Sequence, residues 1–407
     1  MKVLFVTGLY IPDLVAYFET KIRRGCLQTA PNNFQWAIVK GLSDNHVETE
    51  IISCPFLPCA PFSNKMLYTP RRSIRLSPYV TIYSLLYCCL VGCKSYSIKR
   101  KIKNYAEKWI QRNPDEDLYI LVYHTIGYVM EAVGELKKKY EQVVTGIIVT
   151  DLVDNYNMFS YNNSFLKRVS LAWESRMVKR NYRFFDKFIL LSRQMTEKIP
   201  EARGNNIVIE GLLNDSLSYR KQSVPKIPQV GRKILYAGAL ENYSGVIDFC
   251  QAIMMQRTSN INFYVCGTGV CQKQIEEFSR KDERIIYLGR LTHEEVLAIQ
   301  QKMDFLVNPR QPDGNLTKYS FPSKTIEYMA SGIPMIGFKL EGIPDEYYEH
   351  MYLLENTDVA GMAENLETII MLPYSEIVEK GEEAATYVFS QKTAKKQVAR
   401  IIDFIKK

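Results

Sequence analysis

The chain has 407 residues, which at roughly 100 to 200 residues per domain predicts two or three domains, two being the natural division. With 46% hydrophobic and 24% charged residues it has the balance of a folded globular protein, and disordered or collagen-like classes are excluded. The net charge of +8 and pI of about 8.8 attract nucleotides, nucleic acid or anionic lipid alike and choose none of them.

The start, MKVLFVTGLYIP, reads as a buried strand running into a turn at Gly8, without the small-residue cleavage site of a signal peptide. A glycine there leaves room for a ligand to approach the backbone. Further apolar runs of strand length, EIISC, YILVYH, VVTGIIVT and FDKFILLS, alternate with stretches of helical length, the pattern of a parallel sheet with crossover helices. Between them lies Leu76 to Cys93, uncharged but diluted by serine, proline, glycine and three tyrosines. It reads as a core or interfacial helix rather than a membrane span.

Arginines before that segment and lysines after it allow two readings, peripheral attachment to an anionic membrane surface or a core helix followed by a solvated basic one. Nine cysteines without paired CxxC spacing, and four scattered histidines, fit a reduced, cytoplasmic setting and give no metal site.

The polar stretch Leu213 to Arg232 reads as a linker. After it the strand-like runs resume as KILYAGA, INFYVCG, RIIYLG, DFLVNP, IPMIGF and MYLLE. The expected domains are 1–212 and 213–385, both α/β, with a terminal helix over 386–407 packing back on the first. No zinc-finger, helix-turn-helix or RNA-recognition pattern supports nucleic-acid binding.

The segment PSKTIEYMASG, Pro322 to Gly332, carries the strongest functional signal. Proline suits the first turn of a helix and Gly332 its end, so a helix begins near Ser323. Its amides and Lys324 together offer an anion site. Glu327, three residues after Lys324 on the same face, can accept both hydroxyls of a ribose, or can simply pair with Lys324 on an amphipathic helix. Gly238 in YAGALENYSGV and Gly267 in VCGTGV end strands where small residues permit close approach, and Ser244 can cap the helix that follows.

In this order the segments resemble GT-B glycosyltransferases of family 4, a retaining group that includes bacterial capsule and exopolysaccharide enzymes, and the resemblance covers nearly the whole chain. It implies two Rossmann-like domains with parallel sheets facing across a cleft. It also implies a hexosyltransferase-like activity in polysaccharide biosynthesis, with a nucleotide sugar, UDP-linked, as donor and a glycan or lipid-linked saccharide as acceptor. Neither cofactor nor metal is implied, and the setting is cytoplasmic or peripheral on the inner face of the plasma membrane.

The resemblance implies donor contacts at Gly8, Gly238, Gly267, Arg290, Tyr319, Ser320, Ser323, Lys324 and Glu327, with Lys324 also catalytic. Tyr319 stands where the family has the first of two glutamates. Asp151 stands where it has a histidine; it either accepts hydrogen bonds from a sugar or acceptor hydroxyl or, like Asp154, caps the next segment. His124 is expected to shape the cleft. Because of these departures, a nucleotide-binding or scaffold protein that has lost catalysis is the alternative.

Overall fold

The computed structural model describes residues 1–23, 27–154, 165–213, 231–257, 260–312 and 315–407. Most of the expected linker, residues 214–230, lies outside them. The chain forms two compact units, one of residues 1–214 together with 394–407, the other of residues 215–393.

In the first unit the strands are β1 (Lys2–Thr7), β2 (Thr49–Ser53), β3 (Arg72–Arg75), β4 (Val80–Ser84), β5 (Leu118–Tyr123), β6 (Val144–Val149), β7 (Lys187–Leu190) and β8 (Asn206–Val208). They pair in the order β3-β4-β2-β1-β5-β6-β7-β8. All neighbours are parallel except β3 and β4. Strands rich in Val, Ile and Leu without alternation are what a sheet covered on both faces requires, and Leu4, Phe5, Ile147, Ile148 and Ile189 are all buried.

The segment Leu76 to Cys93 is corrected here. It is not a helix: β4 pairs antiparallel with β3, and the chain then runs through isolated bridges at Cys88 and Leu90. The cause is alternation, since Val80, Ile82 and Ser84 are buried while Thr81 and Tyr83 are half-buried, a period of two that only a strand can satisfy. Among the described residues no helix is long and apolar enough to cross a membrane.

The second unit holds β9 (Arg232–Ala237), β10 (Ile261–Cys266), β11 (Ile285–Gly289), β12 (Phe305–Asn308), β13 (Met335–Phe338) and β14 (Tyr352–Leu354). Their order is β11-β10-β9-β12-β13-β14, all parallel. The order reverses at β9 and β12, and a doubly wound sheet opens a crevice for ligands beyond the carboxyl ends of the strands at that point. Phe249 packs edge-on against Phe263 at 4.9 Å between centroids in the core beside β10.

The last helix, Ala394–Lys406, belongs to the first unit. Val398, Ile401, Ile402 and Ile405 join Ile38, Val39 and Leu42 in one buried cluster. Contact with helix Thr29–Asp44 is close because residue 41 is glycine: a Cβ there would lie 2.4 Å from Val398 Cγ2 and 2.6 Å from the Ala394 carbonyl oxygen. Gly41→Leu is therefore expected to cost about 1–3 kcal/mol through overpacking. All three tryptophans, Trp36, Trp109 and Trp173, lie in the first unit, so a lower urea midpoint followed by tryptophan fluorescence reads this effect there.

Candidate active site

At the carboxyl edge of the second sheet, the strand ends are built around one ammonium group. A Cβ on Gly238, the residue after β9, would stand 1.5 Å from Lys324 Nζ and 2.6 Å from its Cε. The absent side chain is the space the lysine occupies. Gly267, after β10, has φ +139°, and a Cβ there would strike the Gly238 carbonyl oxygen at 1.8 Å. A Cβ on Gly269 would meet the Leu240 carbonyl oxygen at 2.4 Å. The two loops are laced by Gly238 N–H to Cys266 O and Leu240 N–H to Thr268 O, both at 3.0 Å. These glycines therefore serve close backbone packing around Lys324.

Tyr236, the penultimate residue of β9, holds this ammonium over its ring at 4.5 Å from the centroid, a cation–π contact strengthened by desolvation. Its hydroxyl donates to the Ala239 carbonyl at 2.7 Å. Tyr328 fastens the helix Lys324–Ala330 to the strand, its hydroxyl donating to the Ala237 carbonyl and accepting from the Ala237 N–H, each at 3.2 Å.

That helix is seven residues long, with Ser323 exposed at its N-cap and making no side-chain cap bond. So short a helix adds little dipole, and the full charge of Lys324 is the main electrostatic feature. Burial pushes the lysine down to about 8, against the pull of Glu327 and Cys266. Burial likewise raises Glu327 above the ordinary carboxylate range, while Lys324 and His293 favour its charged form. The Cys266 thiol is pushed up to about 11 by burial, with Lys324 opposing.

Two residues at this edge have no counterpart among the sequence expectations. His293 opens the helix His293–Gln300, whose capping box joins Thr292 and Glu295, and it lies near enough to Glu327 to stabilise its charge. Arg310 follows β12 at the switch point, its guanidinium 5.5 Å from the Tyr243 ring centroid. Its charge also acts on the Tyr236 phenol, whose proton affinity burial raises and Arg310 lowers. A basic residue just past Asn308-Pro309, at the end of a central strand, was the available signal for Arg310.

Other expected residues are placed differently. Tyr319 is only 4% exposed and packs into the unit beneath the Lys318 ammonium, 5.6 Å from its ring. Ser320 is half-buried and its carbonyl abuts Gly342. Arg290 is exposed just after β11, on the carboxyl edge of the sheet but two strands from the switch point. Gly245, at φ +70° with the Pro309 carbonyl oxygen 1.9 Å from where a Cβ would stand, is the N-cap residue of the following helix, while Ser244 Oγ accepts from the N–H of its first residue, Val246, at 3.4 Å.

In the first unit Gly8, His124 and Asp151 follow β1, β5 and β6, three adjacent strands. Gly8 requires correction: a Cβ there would fall 2.0 Å from the Phe56 ring, and its N–H donates to Gln35 Oε1 at 2.8 Å. Both its space and its donor are used within the protein. Burial holds His124 down to about 4, so its imidazole is neutral, edge-on to Phe56 at 5.7 Å. Asp151 is half-buried, and its carbonyl accepts from Thr125 Oγ1 at 3.2 Å. Asp154 instead binds Lys179 Nζ at 2.9 Å and Ser175 Oγ at 3.1 Å. Among the described residues no three His, Cys, Asp or Glu side chains cluster as a metal site.

Residues 231–371 match the protein family described as Glycosyl transferases group 1. An uncharacterised glycosyltransferase of Methanocaldococcus jannaschii is 29% identical over 161 residues, 39% of this chain and 41% of the relative; the match thus spans about two fifths of that relative's length. Among solved structures, the catalytic domain of Arabidopsis thaliana starch synthase IV bound to ADP and acarbose superimposes with a TM-score of 0.66 at 10% identity, covering 100% of this chain and 99% of that one. The Anabaena protein HepE in complex with UDP and glucose gives 0.58 at 12% identity, covering 100% and 99%. The chain has the GT-B fold. The stretch that matches the group 1 family lies wholly within the second unit, and Lys324, Glu327, Gly238 and Arg310 all fall inside it.

The lowered proton affinity of Lys324 has a consequence for stability. Below pH 8 folded and unfolded chains both hold the proton, and the whole cost of the buried charge is present. Between about 8 and the ordinary lysine value of 10.5 the unfolded chain binds more protons, so stability rises with pH. Wild type should gain stability relative to Lys324→Met as pH is raised from about 7.5 to about 9.5 in the absence of anions, measured by thermal unfolding at each pH. A constant difference would contradict the buried ammonium.

Proposed function

We propose that this GT-B protein is a retaining glycosyltransferase of family 4 that moves a sugar from a nucleotide-sugar donor, UDP-linked, to a glycan or lipid-linked acceptor in polysaccharide biosynthesis. The observation that carries this reading is Lys324 Nζ lodged in the space of the missing Gly238 side chain, at the switch point of the second sheet. A desolvated ammonium framed by glycine backbone suits a diphosphate, and the acceptance of UDP by HepE, whose structure holds UDP and glucose, supports the nucleotide.

In this reaction the bond between the sugar's anomeric carbon and the diphosphate oxygen breaks. The acceptor hydroxyl oxygen bonds to that carbon on the same face, and its proton passes to the departing diphosphate. Charge grows on the leaving oxygen, so a cation already in place lowers the barrier without reorganising. Lys324 supplies it, with Arg310 as the second cation. Glu327, beside Lys324 and His293, accepts the ribose hydroxyls. Asp151 accepts a hydrogen bond from a sugar or acceptor hydroxyl.

Incubation with a panel of nucleotides and nucleotide sugars should raise the unfolding temperature with UDP or its sugars; protection by none of them overturns the reading. Lys324→Ala should lower kcat by about 10²- to 10³-fold. Glu327→Gln should weaken UDP while leaving inorganic pyrophosphate unaffected, because only UDP carries the ribose, and titration calorimetry separates the two. The burial of Tyr319, where the resemblance has a glutamate, favours one other reading, nucleotide binding without transfer. Protection by a nucleotide sugar with no nucleotide release in the presence of extracted lipid acceptors would select it.

A further inference from the structure

Between Glu50 and Glu107 the sequence contains no acidic residue and nine lysines and arginines. The same stretch holds a cluster of large apolar side chains turned to solvent: Phe62 is 71% exposed, Tyr96 68%, Tyr68 and Val91 each 58%, and Leu67 56%. Scattered exposed apolar residues need no explanation, but a local concentration of them inside a wholly basic segment does.

These side chains stand on a cross-tied lobe. Ala60 bridges Leu90, and Tyr68 bridges Cys88. Val91 N–H donates to Ala60 O at 3.1 Å, Cys89 N–H to Leu67 O at 2.8 Å, and Cys88 N–H to Ser97 Oγ at 3.0 Å. Lys94 Nζ reaches back to Leu57 O at 2.5 Å. The inner face is anchored by Tyr87 and Cys89, both fully buried, and by Met66. Alternation along the paired segment puts Tyr87 and Cys89 inside and leaves Leu86 out, and Val91, in the turn that leads into the helix Lys94–Gln111, is exposed as well. Around the lobe, Lys65, Arg71, Arg100 and Lys101 are exposed and in ion-pair range of no carboxylate among the described residues. Arg100 stands one turn after Tyr96 on the helix Lys94–Gln111, so cation and aromatic ring share a face.

We infer that this lobe, residues 59–101, docks the protein on an anionic lipid bilayer, with Phe62, Leu67, Tyr68, Val91 and Tyr96 entering the interface and the cations meeting lipid phosphates. A bilayer supplies phosphate charge and hydrocarbon together, and the lobe needs both. Nucleic acid would leave the aliphatic groups uncovered, and a second copy would set one basic surface against another. The inference uses no residue of the nucleotide site and stands apart from the proposed transfer reaction.

The test is flotation of the full chain with vesicles of phosphatidylcholine containing phosphatidylglycerol and with phosphatidylcholine alone. The wild type should float with the anionic vesicles and be released by about 0.5 M salt, which screens exposed charges. Arg100→Gln and Lys101→Gln should each weaken binding about fivefold, from roughly 1 kcal/mol per cation near the surface, and Phe62→Ser combined with Val91→Ser should abolish it. Unchanged melting and unchanged UDP protection in the same variants would show that the fold and the nucleotide site are intact. The proposal is overturned if the wild type stays with neither vesicle, floats equally with both, or is unaffected by the substitutions. A concentration-dependent dimer that the Phe62 and Val91 substitutions dissociate would likewise overturn it, assigning the face to a second copy.

Discussion

An ammonium group partly withdrawn from water must be given something in exchange, and the carboxyl edge of the second sheet is arranged to do that for Lys324, a half-buried residue. The ring of Tyr236 lies under it, Glu327 shares its helix face, and backbone closes around it because residues 238, 267 and 269 lack side chains. The exchange is incomplete, which is why burial still lowers the lysine's proton affinity. A strained local balance of this kind is a common signature of a binding site, where stability is given up for recognition.

The corresponding edge of the first unit has a different character. Gly8 is filled by Phe56 and its amide is taken by Gln35, and His124 is neutral against an aromatic wall. Among the described residues, no lysine or arginine directly follows β1, β5 or β6. The two carboxyl edges thus differ in chemistry, charge gathering at the second and apolar and hydrogen-bonding groups at the first.

Much of the fold was legible in the sequence because parallel strands covered on both faces are unbroken apolar runs, and these were read in both units. The edge hairpin β3-β4 escaped because the stretch around it is uncharged, and total hydropathy obscured its period of two; VTIYS alternates, as its burial shows. At the site, Lys324 and Glu327 could be paired from their spacing along one helix. Arg310 and His293 reach the same edge from other strand ends, and only topology brings them near. The purpose of a glycine is harder still to read, since it depends on what fills the space: Gly238 admits a lysine 86 positions later, whereas Gly8 admits Phe56.

The chain leaves the first unit after residue 214 and returns to it at 394, so the core around Ile38 and Leu42 is finished only by the last helix. The second unit, by contrast, is one uninterrupted stretch. During synthesis from the amino end, the second unit can therefore complete its sheet while the unit begun earlier still has an uncovered apolar face. Order of translation and order of folding are inverted in this protein, and that face must be kept from aggregation until the final turns of helix arrive.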